Sequence, residues 1–186
     1  MSENKFEDMN KKAVYAPVKS WRFGQSLGID PLFQTSICSF DCIYCQLGKI
    51  QNVTMKRAIY VETNKVVTDY KELVEKNIPI DVITYSGSGE PSLALNLGEM
   101  ISEIRKISPN IPQNILTNAT LLFDQDVRET LRPLDKVIVK LDAPNDSLMR
   151  KMNRPADGVS FDSIISGIKD FREIYRGELE VQCMLM

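Results

Sequence analysis

Short apolar runs alternate with amphipathic stretches along this chain, the pattern of βα units wound around a parallel sheet. Residues Asp30 to Ile37 read as a first strand, and a loop carrying three cysteines follows it directly. Val66, Val67, Tyr70, Leu73 and Val74 recur at helical spacing within a helix from about Asn64 to Lys76. Ile80 to Tyr85 forms a second strand that breaks into Ser86-Gly87-Ser88-Gly89-Glu90-Pro91. The next helix, about Leu95 to Ile107, carries its apolar stripe on Leu97, Met100, Ile101, Ile104 and Ile107. Gln113 to Thr117 is a third strand, Asp124 caps a short helix ending at Leu131, and Lys136 to Leu141 is a fourth strand. A connection from Ala143 to Gly158 has room for one helical turn. It leads into an amphipathic helix, Ser160 to Tyr175, built on Phe161, Ile164, Ile165, Ile168 and Phe171, and a fifth strand follows from Leu179 to Leu185.

Five strands and four crossover helices predict an α/β fold: a partial (β/α) barrel with parallel strands, since a closed eight-unit barrel takes about 250 residues. With 186 residues and 43% apolar content, one buried core is the expectation. The pattern divides into an N-terminal extension, residues 1–29, and a core domain, residues 30–186. The sequence stops inside a strand-like run, so either the sheet ends there or the core is one part of a longer protein.

Charge narrows the partners little. Twenty-three basic residues face 25 acidic ones, and a net charge of −2 creates no field that would draw the chain to nucleic acid or anionic lipid. No apolar run approaches the roughly 20 residues that cross a bilayer, and the opening MSENKFEDMNKKAVY is too polar for a signal sequence. A cytoplasmic protein is expected.

The chemistry concentrates in TSICSFDCIYCQLGK, where Cys38, Cys42 and Cys45 stand in a Cys-x3-Cys-x2-Cys arrangement. Cysteines this close suit metal ligation rather than a disulfide framework, and thiolates favour zinc or iron–sulfur clusters. The chain has no histidine, so a closed zinc site would need Cys183 or an oxygen ligand such as Asp41. A cluster with one open iron fits three ligands better. A structural zinc loop or a simple iron–sulfur electron carrier is the alternative.

The triplet, with the aromatic Tyr44 before its last cysteine, resembles the signature of the radical S-adenosylmethionine (SAM) superfamily. That resemblance implies a 4Fe-4S cluster on Cys38, Cys42 and Cys45, with SAM bound at the fourth iron and cleaved reductively to a 5′-deoxyadenosyl radical. It also implies an unidentified substrate and an external electron donor of flavodoxin or ferredoxin type. The segment Gly87, Ser88, Gly89, Glu90 and Pro91 is similar to the family's Gly-Gly-Glu-Pro stretch, which holds the methionine amino group, with Ser88 in place of the first glycine. Period-two alternation in the fourth strand puts Ile138, Lys140 and Asp142 on the barrel interior and Val137, Val139 and Leu141 toward the helices. By resemblance, Asn118, Lys140 and Asp142 contact the ribose and carboxylate of SAM; an internal Lys–Asp pair is the plainer alternative.

Other features weigh less. Cys183 shares parity with Leu179 and Val181 and is expected to pack under a helix, whereas Gln182 faces the interior. Lys49, Lys56 and Arg57 form a small basic group, and Asn153-Arg154-Pro155 could approach the rim or simply turn the chain. The stretch SWRFGQSLGID together with CQLG looks like a group of iron–sulfur oxidoreductases within the superfamily. A more distant likeness, to radical SAM enzymes that build tricyclic bases in transfer RNA, makes RNA-base modification a second possible activity.

Overall fold

The computed structural model describes residues 12–33 and 35–185, so most of the polar opening segment lies outside it. A hairpin starts the described chain: β1 (Val14–Ser20) pairs antiparallel with β2 (Gly24–Ile29). Two short strands, β3 (Ile37–Cys38) and β4 (Asn52–Val53), flank the cysteine loop and pair with each other. Thereafter strands and helices alternate: α1 (Thr63–Val74), β5 (Val82–Tyr85), α2 (Leu97–Ile107), β6 (Gln113–Thr117), α3 (Gln125–Leu131), β7 (Lys136–Lys140), α4 (Asp146–Met152), α5 (Phe161–Ile174) and β8 (Glu178–Gln182).

The main sheet has the order β1-β2-β5-β6-β7-β8, parallel from β2 to β8, with β1 as an antiparallel edge. It is an α/β sheet that does not close, in agreement with the partial barrel expected. Because parallel strands need crossovers, each helix lies on a face of the sheet. Ile115, Val137 and Val139 are fully buried among the core residues. Alternate positions, Leu116, Ile138 and Lys140, line a cavity on the opposite face. The parity read from the fourth strand therefore holds as far as Lys140.

The first strand needs correction. The described residues 30–33 and 35–36 form no strand; the first strand of the parallel set is Gly24–Ile29, inside the segment read as an extension. Asp30 turns the chain at once, its Oδ1 accepting from the Leu32 and Phe33 amides at 3.0 and 3.3 Å, and Phe33 adopts a positive φ of 37°. The true strand was masked by its composition, two glycines and two polar residues in GQSLGI. Cys183 also departs from its expected packing position. It is exposed, as is its parity neighbour Val181 at 52%, because β8 is an edge strand with a partner on one side only.

Phe171 anchors α5 to this frame. It is fully buried and stacks on Tyr175, ring centroids 4.6 Å apart, while the Tyr175 hydroxyl donates to the Leu134 carbonyl at 2.9 Å. Truncation leaves a large cavity beside that stack. Phe171→Ala is expected to lower stability by about 3–5 kcal/mol, measured as a reduced urea midpoint with an unchanged slope.

Candidate functional site

The cysteine loop has little regular structure, and neighbouring backbone holds it. On one side, the Ile37 amide donates to the Ser88 carbonyl at 2.8 Å and the Ile37 carbonyl accepts from the Glu90 amide at 3.0 Å. A Cβ on Gly89 would collide with that Ile37 carbonyl, so only glycine lets the two chains lie this close. On the other side, Asp41 N donates to Asn153 O at 2.9 Å, Ile43 N to Met152 O at 2.9 Å, and Ala156 N to Ser39 O at 2.8 Å. Asp41, an oxygen ligand in the zinc reading, instead braces the loop: its Oδ1 accepts from the Ile50 amide at 2.9 Å.

Cys38, Cys42 and Cys45 all line one cavity of about 340 Å³ at the C-terminal ends of β5, β6 and β7. Burial pushes the Cys38 thiol up to about 12, helped by the nearby Glu90 charge. Burial also raises Cys42, against a hydrogen bond from Asn153. Such thiols hold their protons until a metal displaces them, so loading the site releases protons. Among the described residues, no group of three or more His, Cys, Asp or Glu side chains is placed to hold a single metal ion. A cluster makes a different demand, since each cysteine binds a separate iron. Three soft donors on one cavity wall fit that group.

Gly87, Gly89 and Glu90 form part of the same wall, but Ser88 and Pro91 do not. Ser88 turns away, its amide and hydroxyl donating to Asp30 Oδ2 at 3.0 and 2.5 Å, and Pro91 is buried at the start of a 3-10 turn. Glu90 is 2% exposed and already well supplied with donors. Its Oε1 accepts from Ser92 N (3.0 Å), Ser92 Oγ (2.6 Å) and Thr117 Oγ1 (2.6 Å); Oε2 accepts from Asn118 N (2.6 Å). Burial raises its carboxyl above the usual range despite those four bonds. Glu90 thus ties the end of β5 to the end of β6, with bonding capacity left on Oε2 alone.

Asn118 lines the cavity, yet its side chain serves the cysteine loop: Nδ2 donates to Ser39 Oγ at 2.8 Å and lies 3.5 Å from Cys38 Sγ. Lys140 reaches the cavity, with its ammonium 5.2 Å from the Tyr44 ring centroid. Asp142 lies behind the cavity wall. Its side chain is 1% exposed; Oδ1 meets Lys140 Nζ at 3.1 Å and the Met184 amide at 2.7 Å, while Oδ2 accepts from the Tyr44 hydroxyl. Burial alone would raise the Asp142 carboxyl, but these donors outweigh it and hold it low. Asp142 therefore takes the plainer alternative, an internal ion pair.

Sequence reasoning left Asn153 open between approaching the rim and turning the chain, and the structure brings it to the cysteines. It is 2% exposed, and its Nδ2 lies 3.3 Å from Cys42 Sγ, 2.9 Å from the Tyr44 hydroxyl and 3.0 Å from Asp142 Oδ2. The only signal was its place after a helix, since nothing in the sequence shows which loop folds onto the cysteines. Gln182 does line the cavity, as its parity suggested.

A family model described as the radical SAM superfamily matches residues 33–186. The chain is 45% identical over 174 residues to the UPF0026 protein slr1464 of Synechocystis sp., covering 94% of this chain and 64% of that protein. It is 34% identical over 175 residues to the UPF0026 protein MJ1312 of Methanocaldococcus jannaschii, covering 93% of this chain and 54% of that one. The chain thus spans only part of the length of these relatives. A solved structure of TYW1 with a lysine-pyruvate adduct shares the fold, with a TM-score of 0.62 at 18% identity over 84% of this chain and 54% of that one.

Glu90→Gln tests the strand tie without any ligand. One oxygen becomes an amide nitrogen that faces backbone or hydroxyl donors, which leaves buried groups unpaired at a cost of about 1–3 kcal/mol. A lower melting temperature of the metal-free protein is expected.

Proposed function

The chain thus belongs to the radical SAM superfamily, and we propose that it is an enzyme that cleaves SAM reductively and abstracts hydrogen from a substrate yet to be identified. The observation that carries this reading is the wall shared by three cysteine thiols and the glycine segment at the end of β5. A three-cysteine cluster with SAM at its open iron would supply one electron to the sulfonium, releasing methionine and a 5′-deoxyadenosyl radical.

The protein's own part is to bind, orient and shield. Cys38, Cys42 and Cys45 hold the metal. Gly87 and Gly89 bring backbone close enough to meet a methionine ammonium, and Glu90, whose Oε2 carries a single hydrogen bond, lines the same cavity. Lys140 offers the cationic partner for a carboxylate. Apolar side chains, among them Phe40, Ile50, Leu116 and Ile138, complete the wall and limit water, which protects a radical from quenching.

Ser88 and Asp142 support the site from behind, and Asn118 lines the cavity while bracing the cysteine loop through Ser39. An external electron donor belongs to this scheme. Among the described residues, no helix is long and apolar enough to cross a membrane, and a reducing cytoplasm suits both free thiols and cluster chemistry. RNA-base modification draws no separate support, because the likeness to TYW1 is one of fold.

Anaerobic reconstitution should yield about four irons per chain, the composition of a 4Fe-4S cluster, and dithionite with SAM should release 5′-deoxyadenosine and methionine. Cys38→Ala, Cys42→Ala or Cys45→Ala should abolish both cluster and products. Reduced, cluster-loaded protein that binds SAM without cleaving it would exclude this activity, and a tetrahedral zinc ion in its place would exclude the cluster.

A further inference from the structure

Asn153 sits where the connection after α4 passes under the cysteine loop. Its backbone is fixed twice, by its amide donating to Met149 O at 2.7 Å and its carbonyl accepting from Asp41 N at 2.9 Å. The residue is 2% exposed there, and its side-chain nitrogen is turned toward the cysteine loop.

Which end of the amide faces the sulfur follows from its neighbours. A metal-bound Cys42 thiolate accepts and cannot donate. Asp142 carries no proton to give, because Lys140, the Met184 amide and the Tyr44 hydroxyl all point donors at it. Tyr44 spends its own proton on Asp142, so its oxygen is also an acceptor toward Asn153. Three acceptors surround this end of the amide, so it must be the nitrogen, whose two hydrogens serve the Cys42 sulfur on one side and the adjoining Tyr44 and Asp142 oxygens on the other.

We propose that Asn153 is a positioning residue for the cluster, donating an amide hydrogen bond to the Cys42 sulfur that raises the cluster's reduction potential, with Asp142 fixing the direction of that amide. The inference rests on the proposed cluster at Cys38, Cys42 and Cys45. An added electron increases negative charge on the sulfur ligands, and a donor aimed at one of them stabilises the reduced form more than the oxidised form. In a buried site, water cannot replace the lost donor.

The test compares wild type with Asn153→Leu, both anaerobically reconstituted without SAM, by iron content and by a potentiometric titration followed with electron paramagnetic resonance. Equal iron loading with a midpoint shifted to more negative potential is the expected result. A merely structural role would change loading or melting temperature and leave the midpoint of the loaded fraction where it was, which would overturn the inference while leaving the proposed activity standing. If N153L does not fold, Asn153→Ser makes the same comparison, since its shorter side chain stops short of the sulfur. A wild type that assembles no cluster overturns both.

Discussion

A loop with almost no secondary structure must present three thiols at fixed separation, and the strand ends around it are organised to hold that loop still. Ordering an irregular segment costs roughly 1–2 kcal/mol per residue in backbone entropy, and the loop's own turns supply few bonds to offset this. The remainder comes from outside. Ile37 is paired to the segment after β5, and residues 41 and 43 are paired to the C-terminal end of α4 and the residue that follows it. The two sites of attachment lie far apart in sequence and meet only because β5, β6 and β7 run parallel and bring their C-terminal ends to one rim.

That constraint explains why the polar residues of the rim, including those that line the cavity, spend their hydrogen bonds on one another. Glu90 joins β5 to β6, Asn118 reaches Ser39 and the Cys38 sulfur, and Asp142 draws Tyr44, Lys140 and Asn153 together beneath Cys42. Each is a buried polar group whose partners are other parts of the site, so removing any one strands its neighbours.

The sequence was informative wherever periodicity alone decides the outcome. Gln113 to Thr117 matches β6 residue for residue, and the predicted helices fall within a few positions of α1, α2, α3 and α5. It failed at β2, where glycines in GQSLGI conceal a strand that only pairing with β1 and β5 makes visible. Strand parity located Lys140 and Gln182 on the cavity but overreached at Asp142, because alternation fixes a direction and ends with the strand. Ser88 was read as a substitute for glycine in a binding segment, whereas its hydroxyl serves Asp30. Asn153 could be placed near the rim but not given its partners, since its contacts depend on how a connecting segment folds back across the cysteines.

With so many side chains committed to bracing, few polar groups are left free to recognise a ligand. On the cavity wall those with capacity left are chiefly Lys140 beyond its bond to Asp142, Gln46, and the amide nitrogen of Gln182, whose oxygen accepts from Arg22, beside the backbone at Gly87 and Gly89. Recognition of a charged amino-acid portion would then depend on main-chain groups and one ammonium, which are difficult to alter by substitution. Variation in substrate would fall to residues farther out, where nothing braces the loop. This is the arrangement expected of a core that keeps one piece of chemistry constant: the groups around the cysteines are cross-linked to one another, so none of them can change alone.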